Sequence, residues 1–335
     1  RRNLELTHAL SGGRAGSLLA TIDKTLTAGG ARLLERRLSS PSRNVRIIQD
    51  RLDAVGFFLD NSLSQGLTER LRHVPDLDRA LSRLSLDRGG PRDLTAIRDG
   101  LTQAASIAQD GLGPDAPHGV VDALNRMGGM DDLIDLLDDA LVAEPPLLAR
   151  DGGFIAPGYD ADLDEARTLR DEGRSVIAAM QQEFAKVTGI SSLKIKHNNV
   201  LGYFIETTAT HAEKMLSPPL SETFIHRQTT ANQVRFTTVE LSEMETKILN
   251  AGNRAIETEK RLYQMLSETV LTKAAEIFQT ATALAELDVS CALARLARAE
   301  NWCRPQVDDS RAFDIVGGRH PVVEKSLRDG SGAPF

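Results

Sequence analysis

Between Glu240 and Asn301 the sequence contains no proline and a single glycine, Gly252. Apolar residues recur there at Leu241, Met244, Ile248, Ala255, Leu262, Met265 and Leu266, a helical stripe, and a second helical stretch spans Ala274 to Ala299. A comparable stripe runs from Ala161 to Val187 through Leu163, Ala166, Leu169, Val176, Ile177, Met180, Phe184 and Val187, and Gly189 ends it. A helix of about 30 residues is about 45 Å long. Aromatic residues make up only 4% of the chain and charged residues 26%, which suits long helices that bury Leu and Ala. The expected fold class is mainly α, a helical bundle with long lever helices.

The segment between the long helices has a different period. Leu193-Lys194-Ile195-Lys196 alternates apolar and polar residues, as does Tyr203–Thr207 approximately, and Asn198-Asn199 between them signals a hairpin. Phe224 to Val239 is again strand-like, and Pro218-Pro219 reads as a loop. The simplest arrangement is an antiparallel helical arm with a small β-rich insert at its tip.

N-terminal to this, helical patterns fill Ser17–Leu38 (interrupted at Gly29-Gly30), Val45–Leu59, Leu63–Leu71, Leu77–Leu86, Leu94–Ala108 and Val120–Val142. Gly89-Gly90-Pro91 and the Gly/Pro stretch from Gly111 to Gly119 separate them, and Asp151-Gly152-Gly153-Phe154 reads as a turn.

The formal net charge is −7, so nucleic acid can be met only on a local patch that opposes the global sign. The insert supplies one. From Gly189 to Val239 it carries Lys194, Lys196, Lys214, Arg227 and Arg235 against Glu206, Glu213 and Glu222, with Asn198, Gln228, Thr229, Thr230 and Asn232 among its amides and hydroxyls. Cations with amide and hydroxyl donors suit phosphate and sugar contacts, which position a duplex without reading its sequence. Composition alone leaves a blander alternative open, in which solvated strands carry Lys and Asn/Thr clusters make turns.

Several classes find no support. No Gly-Lys dipeptide exists, so there is no phosphate loop. No His/Cys/Asp/Glu spacing suggests a metal site, no Ser or Cys sits in a nucleophile motif, and Asp131-Asp132 and Asp138-Asp139 read as a solvated helix face. No catalytic residue, metal or cofactor is expected within these residues. Cys291 and Cys303 fit no disulfide framework, no transmembrane helix or signal peptide is expected, and both ends look internal to a longer chain.

Taken in order, a series of short strings resembles the MutS family of bacterial DNA mismatch-repair proteins. They are Asn3-Leu4-Glu5-Leu6, Gly16-Ser17-Leu18-Leu19, Arg51-Leu52-Asp53-Ala54-Val55, Gly90-Pro91-Arg92-Asp93-Leu94, Asp151-Gly152-Gly153-Phe154-Ile155, Gly202-Tyr203-Phe204-Ile205-Glu206, Arg227-Gln228-Thr229, Leu284-Ala285-Glu286-Leu287-Asp288-Val289 and Gly318-Arg319-His320-Pro321. Each is weak alone; their order and spacing make the resemblance specific, and it covers essentially the whole chain.

The resemblance implies a core and lever region over residues 1–188, a DNA clamp over 189–238, returning lever helices over 239–304, and from 305 to 335 the first strands of a truncated ATPase domain. It implies a cytoplasmic, nucleoid-associated bacterial protein that uses ATP and Mg²⁺, encircles duplex DNA as a homodimer, and recruits the downstream factor MutL. Asn232 matches a clamp asparagine near the DNA backbone, and Arg227, Gln228 and Thr229 match the stretch leading to it. Lys194, Lys196, Asn198 and Arg235 join the candidate DNA-binding set on charge and hairpin position, and Phe335 matches an aromatic that stacks on adenine. Two departures stand out: Val234 replaces an acidic residue of the family's clamp string, and the Thr207–Phe224 loop is longer than in many relatives. The alternative is a structural or oligomerisation arm whose tip meets protein.

Overall fold

The computed structural model describes residues 2–60 and 63–329. In chain order the helices are α1 (Leu18–Ile22), α2 (Ala28–Ser39), α3 (Val45–Asp60), α4 (Leu63–Leu71), α5 (Leu77–Ser85), α6 (Pro91–Asp110), α7 (His118–Asn125), α8 (Asp131–Ala140), α9 (Ala161–Thr188), α10 (Ala209–Met215), α11 (Leu220–Thr223), α12 (Val239–Thr272), α13 (Ala274–Glu300) and α14 (Pro321–Asp329). The strands are β1 (Lys194–Asn198), β2 (Gly202–Thr208), β3 (Ile225–Thr229) and β4 (Gln233–Thr237). The fold is mainly α with one small sheet. The chain divides into two compact units, residues 1–147 with 265–335 and residues 148–264, so α12 supplies residues to both.

In the first unit α13 is the central helix, packed by α2, α3, α4, α5, α6 and α7. It is buried nearly all round, from Ile277 to Leu296. That pattern marks a helix enclosed by others rather than one lying on a surface. Its length and composition alone would let it cross a membrane, but 72% of its most apolar window is buried inside the protein. Leu19, Leu33 and Leu34 pack on Ala285 and Val289.

Local chemistry sets where these helices start, and it corrects the pattern reading twice. The break between α1 and α2 falls at residues 23–27, with Gly29-Gly30 inside the first turn of α2. Thr27 caps α2 by accepting from Gly30 N–H at 2.9 Å. The buried Asp288 carboxylate accepts from Leu26 N–H, Thr27 N–H and the Thr27 hydroxyl at 2.7–3.0 Å. A cap with its own acceptor fixes a helix start more firmly than a glycine pair interrupts it. The stretch 120–142 is two helices, α7 and α8, because Gly129 takes a left-handed φ of +80° between them. The string Gly90-Pro91-Arg92-Asp93 is a helix start: Pro91 sits first in α6 and the Asp93 carboxylate accepts Gly90 N–H at 2.8 Å.

In the second unit α9 and α12 are the long elements. Leu241, Ile248, Ala255 and Leu262 lie seven residues apart on α12, and Gly173 of α9 meets Ile248 so closely that a Cβ there would stand 2.3 Å from Ile248 Cγ1. Of the α9 stripe, Leu163, Ala166, Ile177, Met180 and Phe184 are buried, whereas Leu169 and Val187 are exposed. The Asp151-Gly152-Gly153-Phe154 string has a specific role. Glu259 of α12, itself buried, accepts Gly153 N–H at 2.8 Å and pairs with Arg167 of α9 at 2.6 Å. Gly152 has φ +65° and would place a Cβ 2.5 Å from that carboxylate.

Among the described residues from 305 onward there is no strand, and α14 occupies 321–329. A lone strand is not stable without partners, and the described residues offer it none. Phe335 lies outside the described residues.

Candidate nucleic-acid interface

The four strands form one antiparallel sheet in the order β1-β2-β4-β3. Its inner face carries Ile195, Tyr203, Ile205, Val234 and Phe236, which join Met180, Phe184, Met215, Phe224 and Leu241 in one apolar cluster. The alternation that buries these residues turns their neighbours outward. The segment 207–224, read from sequence as a loop, is mostly the helices α10 and α11, and Ala212, Met215 and Leu220 face this cluster.

The outer face is built as a row. The register pairs Lys194 with Glu206, Glu206 with Arg235 and Arg235 with Gln228, one residue from each strand. Glu206 is 5% exposed. Its carboxylate takes Lys196 Nζ at 2.5 Å and Arg235 Nε at 3.3 Å. Burial alone would push this carboxyl up, but the hydrogen bonds and charges of Lys196 and Arg235 outweigh it and hold the group below the usual carboxylate range. Arg235 also donates to Gln228 Oε1 at 2.8 Å and lies 4.7 Å over the Phe204 ring, covering it. The strands carry four cations and one carboxylate, a net +3, and that carboxylate is roofed by two of the cations. The insert's other acids, Glu213 and Glu222, sit on α10 and α11.

The candidate residues fall into separate groups. Lys194 and Arg227 are exposed and have no ion pair or hydrogen-bonded side-chain partner among the described residues. Arg227 is the extra residue of a bulge between His226 and Gln228, which turns it out of the ladder on the edge strand β3. Lys196 and Arg235 are held on Glu206. Asn198 closes its own hairpin: its Oδ1 accepts Val200 N–H at 2.9 Å and Leu201 N–H at 2.7 Å, and Gly202 follows with φ +68°. Thr229 Oγ1 shares a hydrogen bond with His226 Nε2 at 2.9 Å. Asn232 lies exposed in the β3–β4 turn. The two turns are at opposite ends of β2, since Gly202 pairs with Asn198 and Thr208 with Gln233. Asn198 and Asn232 are therefore separated by about six residues of strand, about 20 Å.

Sequence reading missed Glu206 as the anchor of the face and Phe204 as its floor. The signal was present in the two-residue spacing of Lys194/Lys196 and Phe204/Glu206, but it needed the β1–β2 register to become a contact.

A cation-faced sheet inserted in the chain between two long helices defines a class of helical arm with an inserted β-module. The model of MutS domain III matches residues 1–294, and the chain belongs to that family. It is 70% identical over its full length to the DNA mismatch repair protein MutS of Roseobacter denitrificans. It is 69% and 65% identical, again over its full length, to the proteins of the same name from Ruegeria pomeroyi and Cereibacter sphaeroides. The chain spans 38% of the length of each of these relatives.

Proposed function

We propose that this chain is the lever and clamp portion of a bacterial mismatch-repair protein, and that the sheet of residues 194–237 holds the backbone of duplex DNA without reading its sequence. The observation that carries this reading is the outer row of the sheet. Its carboxylate is buried under Lys196 and Arg235, while Lys194 and Arg227 stand exposed on the two edge strands, unpaired among the described residues. Gln228 and Asn232 supply amide donors beside them, and Asn198 and Thr229 shape the hairpin and the edge. Residues 1–188 and 239–304 are proposed as core and levers, 189–238 as the clamp, and 305–335 as the entry to an ATPase domain. The whole protein would use ATP and Mg²⁺ to move the levers, act as a homodimer around DNA and recruit MutL. The names of the relatives support a role in mismatch repair.

Fluorescence anisotropy of a labelled duplex, titrated with the chain at several salt concentrations, tests the clamp. The slope of log K against log salt should lie between about −2, for Lys194 and Arg227 alone, and about −4, for all four cations. The Lys194→Gln/Arg227→Gln pair should make the slope shallower by about 2. A slope that does not change removes both residues from the interface.

A second reading has one observation behind it. Leu249 and Ile256, seven residues apart on α12, are 51% and 40% exposed, as on a helix that packs on protein. Sedimentation at several concentrations separates the readings: a salt-resistant dimer with no DNA affinity would replace the clamp assignment.

A further inference from the structure

In the first unit, α2, α3, α7 and α13 enclose a cleft of about 270 Å³ whose charged lining is Arg37, Asp50, Arg51, Asp122, Arg126 and Glu286, with His118 and Gly119 beside them. Its charges are unevenly satisfied. Arg126 is fully engaged, with Glu286 at 2.5 Å and Asp122 at 3.1 Å. Arg37 and Arg51 have no ion pair or hydrogen bond among the described residues, and Arg37 Nε is buried with no acceptor at all. A buried guanidinium nitrogen without an acceptor is costly, and native proteins rarely leave one so.

The surroundings point to what is missing. Burial first, and then the like charge of Arg51, push the Arg37 guanidinium down to about 10; Glu286 opposes this, but that carboxylate is already bound to Arg126. The cleft thus holds two guanidinium groups that repel each other; of its three acids, Asp122 and Glu286 are bound to Arg126, and Asp50 forms no ion pair with either arginine among the described residues. It also receives the start of α7, with His118 and Gly119 on its lining. Val120 N–H and Val121 N–H donate to the Pro117 carbonyl, which leaves the His118 and Gly119 N–H groups of the first turn open to an anion. The three features, an orphan buried Nε, a second free arginine and a helix N-terminus, converge on one space from separate elements.

We propose that this cleft is an anion site that takes an oxyanion of the phosphate class, with Arg37 and Arg51 as the charged ligands and the first turn of α7 as the neutral one. The planar fork of a guanidinium matches adjacent phosphate oxygens better than it matches water. The site is independent of the sheet of residues 194–237 and of the DNA contacts proposed for it.

The experiment uses the chain with inorganic phosphate and pyrophosphate as probes, followed by ³¹P line broadening and by thermal unfolding. Binding in the range of about 1–10 mM or tighter is expected, with a rise in melting temperature of about 2–4 °C at about ten times the dissociation constant. Arg51→Gln should weaken binding about tenfold or more. Arg37→Met should abolish the anion response while raising the melting temperature in anion-free buffer, since it removes a desolvated, unpaired charge. An exposed variant away from the cleft, Arg150→Gln, should respond as the parent does. Three outcomes overturn the proposal: no broadening and no shift with either probe, a shift that survives both cleft variants, or a dicarboxylate that acts as strongly as pyrophosphate.

Discussion

Two of the carboxylates buried among the described residues, Asp288 and Glu206, have opposite electrostatic consequences. Asp288, in the helical unit, is fully buried and faces neutral donors, the N–H groups of Leu26 and Thr27 and the Thr27 hydroxyl. Burial dominates there and pushes its carboxyl up. Glu206, in the sheet, is almost as buried but faces Lys196 and Arg235, and its carboxyl is held down. The first is a fastening inside a core, where dipoles orient one helix start. The second lies under a surface and holds two cations in place above it. A buried acid beneath cations marks a surface arranged for charge; a buried acid among backbone dipoles marks a joint.

Breaking the joint should have the larger effect. Asp288→Ala leaves three donors, two of them buried, without an acceptor and should cost about 3–5 kcal/mol of stability, read by urea unfolding. A loss under about 1 kcal/mol would mean that α2 is fixed by Thr27 alone. Gly30→Ala attacks the same joint from the other side. Its Cβ would stand 2.1 Å from Asp288 Oδ2, and that oxygen is pinned by its donors, so about 2–3 kcal/mol should be lost. Glu206→Gln should cost less, about 1–2 kcal/mol, because Lys196 is half exposed and the pair is partly screened. The same change should strengthen duplex binding at low salt by releasing Lys196 and Arg235; weaker binding would show that Glu206 is needed to aim them.

The sharpest contrast is in pH. Glu206 has a folded pKa below its unfolded value, so its contribution is present above about pH 4.3 and is lost as pH falls through the lower folded value. Asp288 has a folded pKa above its unfolded value of about 3.9, so the chain gains stability relative to Asp288→Asn as pH falls through the folded value. Acid unfolding of the two variants against the parent should therefore diverge in opposite directions. Parallel curves would remove the distinction.

Much of the fold was legible because helical burial has a period that short windows reveal. The long helices α9, α12 and α13 fall where their apolar stripes place them, and the strands around the Asn198 hairpin fall where alternation begins. The errors were at boundaries set by distant residues. Nothing near Gly29-Gly30 indicates that Asp288 will hold the Thr27 cap of α2. The exposure of Leu169 and Val187 follows from where α9 and α12 meet, not from the spacing on α9. The site was legible as a list of cations and amides, but not as a surface. Counting charge over the insert averaged the acids on α10 and α11 with the cations on the strands, and it treated Glu206 as a solvent-exposed charge.

The sequence by itself determined the long helices, the strands around the Asn198 hairpin and the family, because periodicity and ordered short strings are local in the chain. Only the tertiary structure decided which charges are free. Lys194 and Lys196 are two residues apart on one strand, yet one is unpaired and the other is held by Glu206. Arg37 and Arg126 are both half-buried arginines, yet among the described residues only Arg126 is ion-paired with carboxylates. Pairing depends on cross-strand register and helix packing, which bring together residues far apart in the chain at distances of a few ångströms.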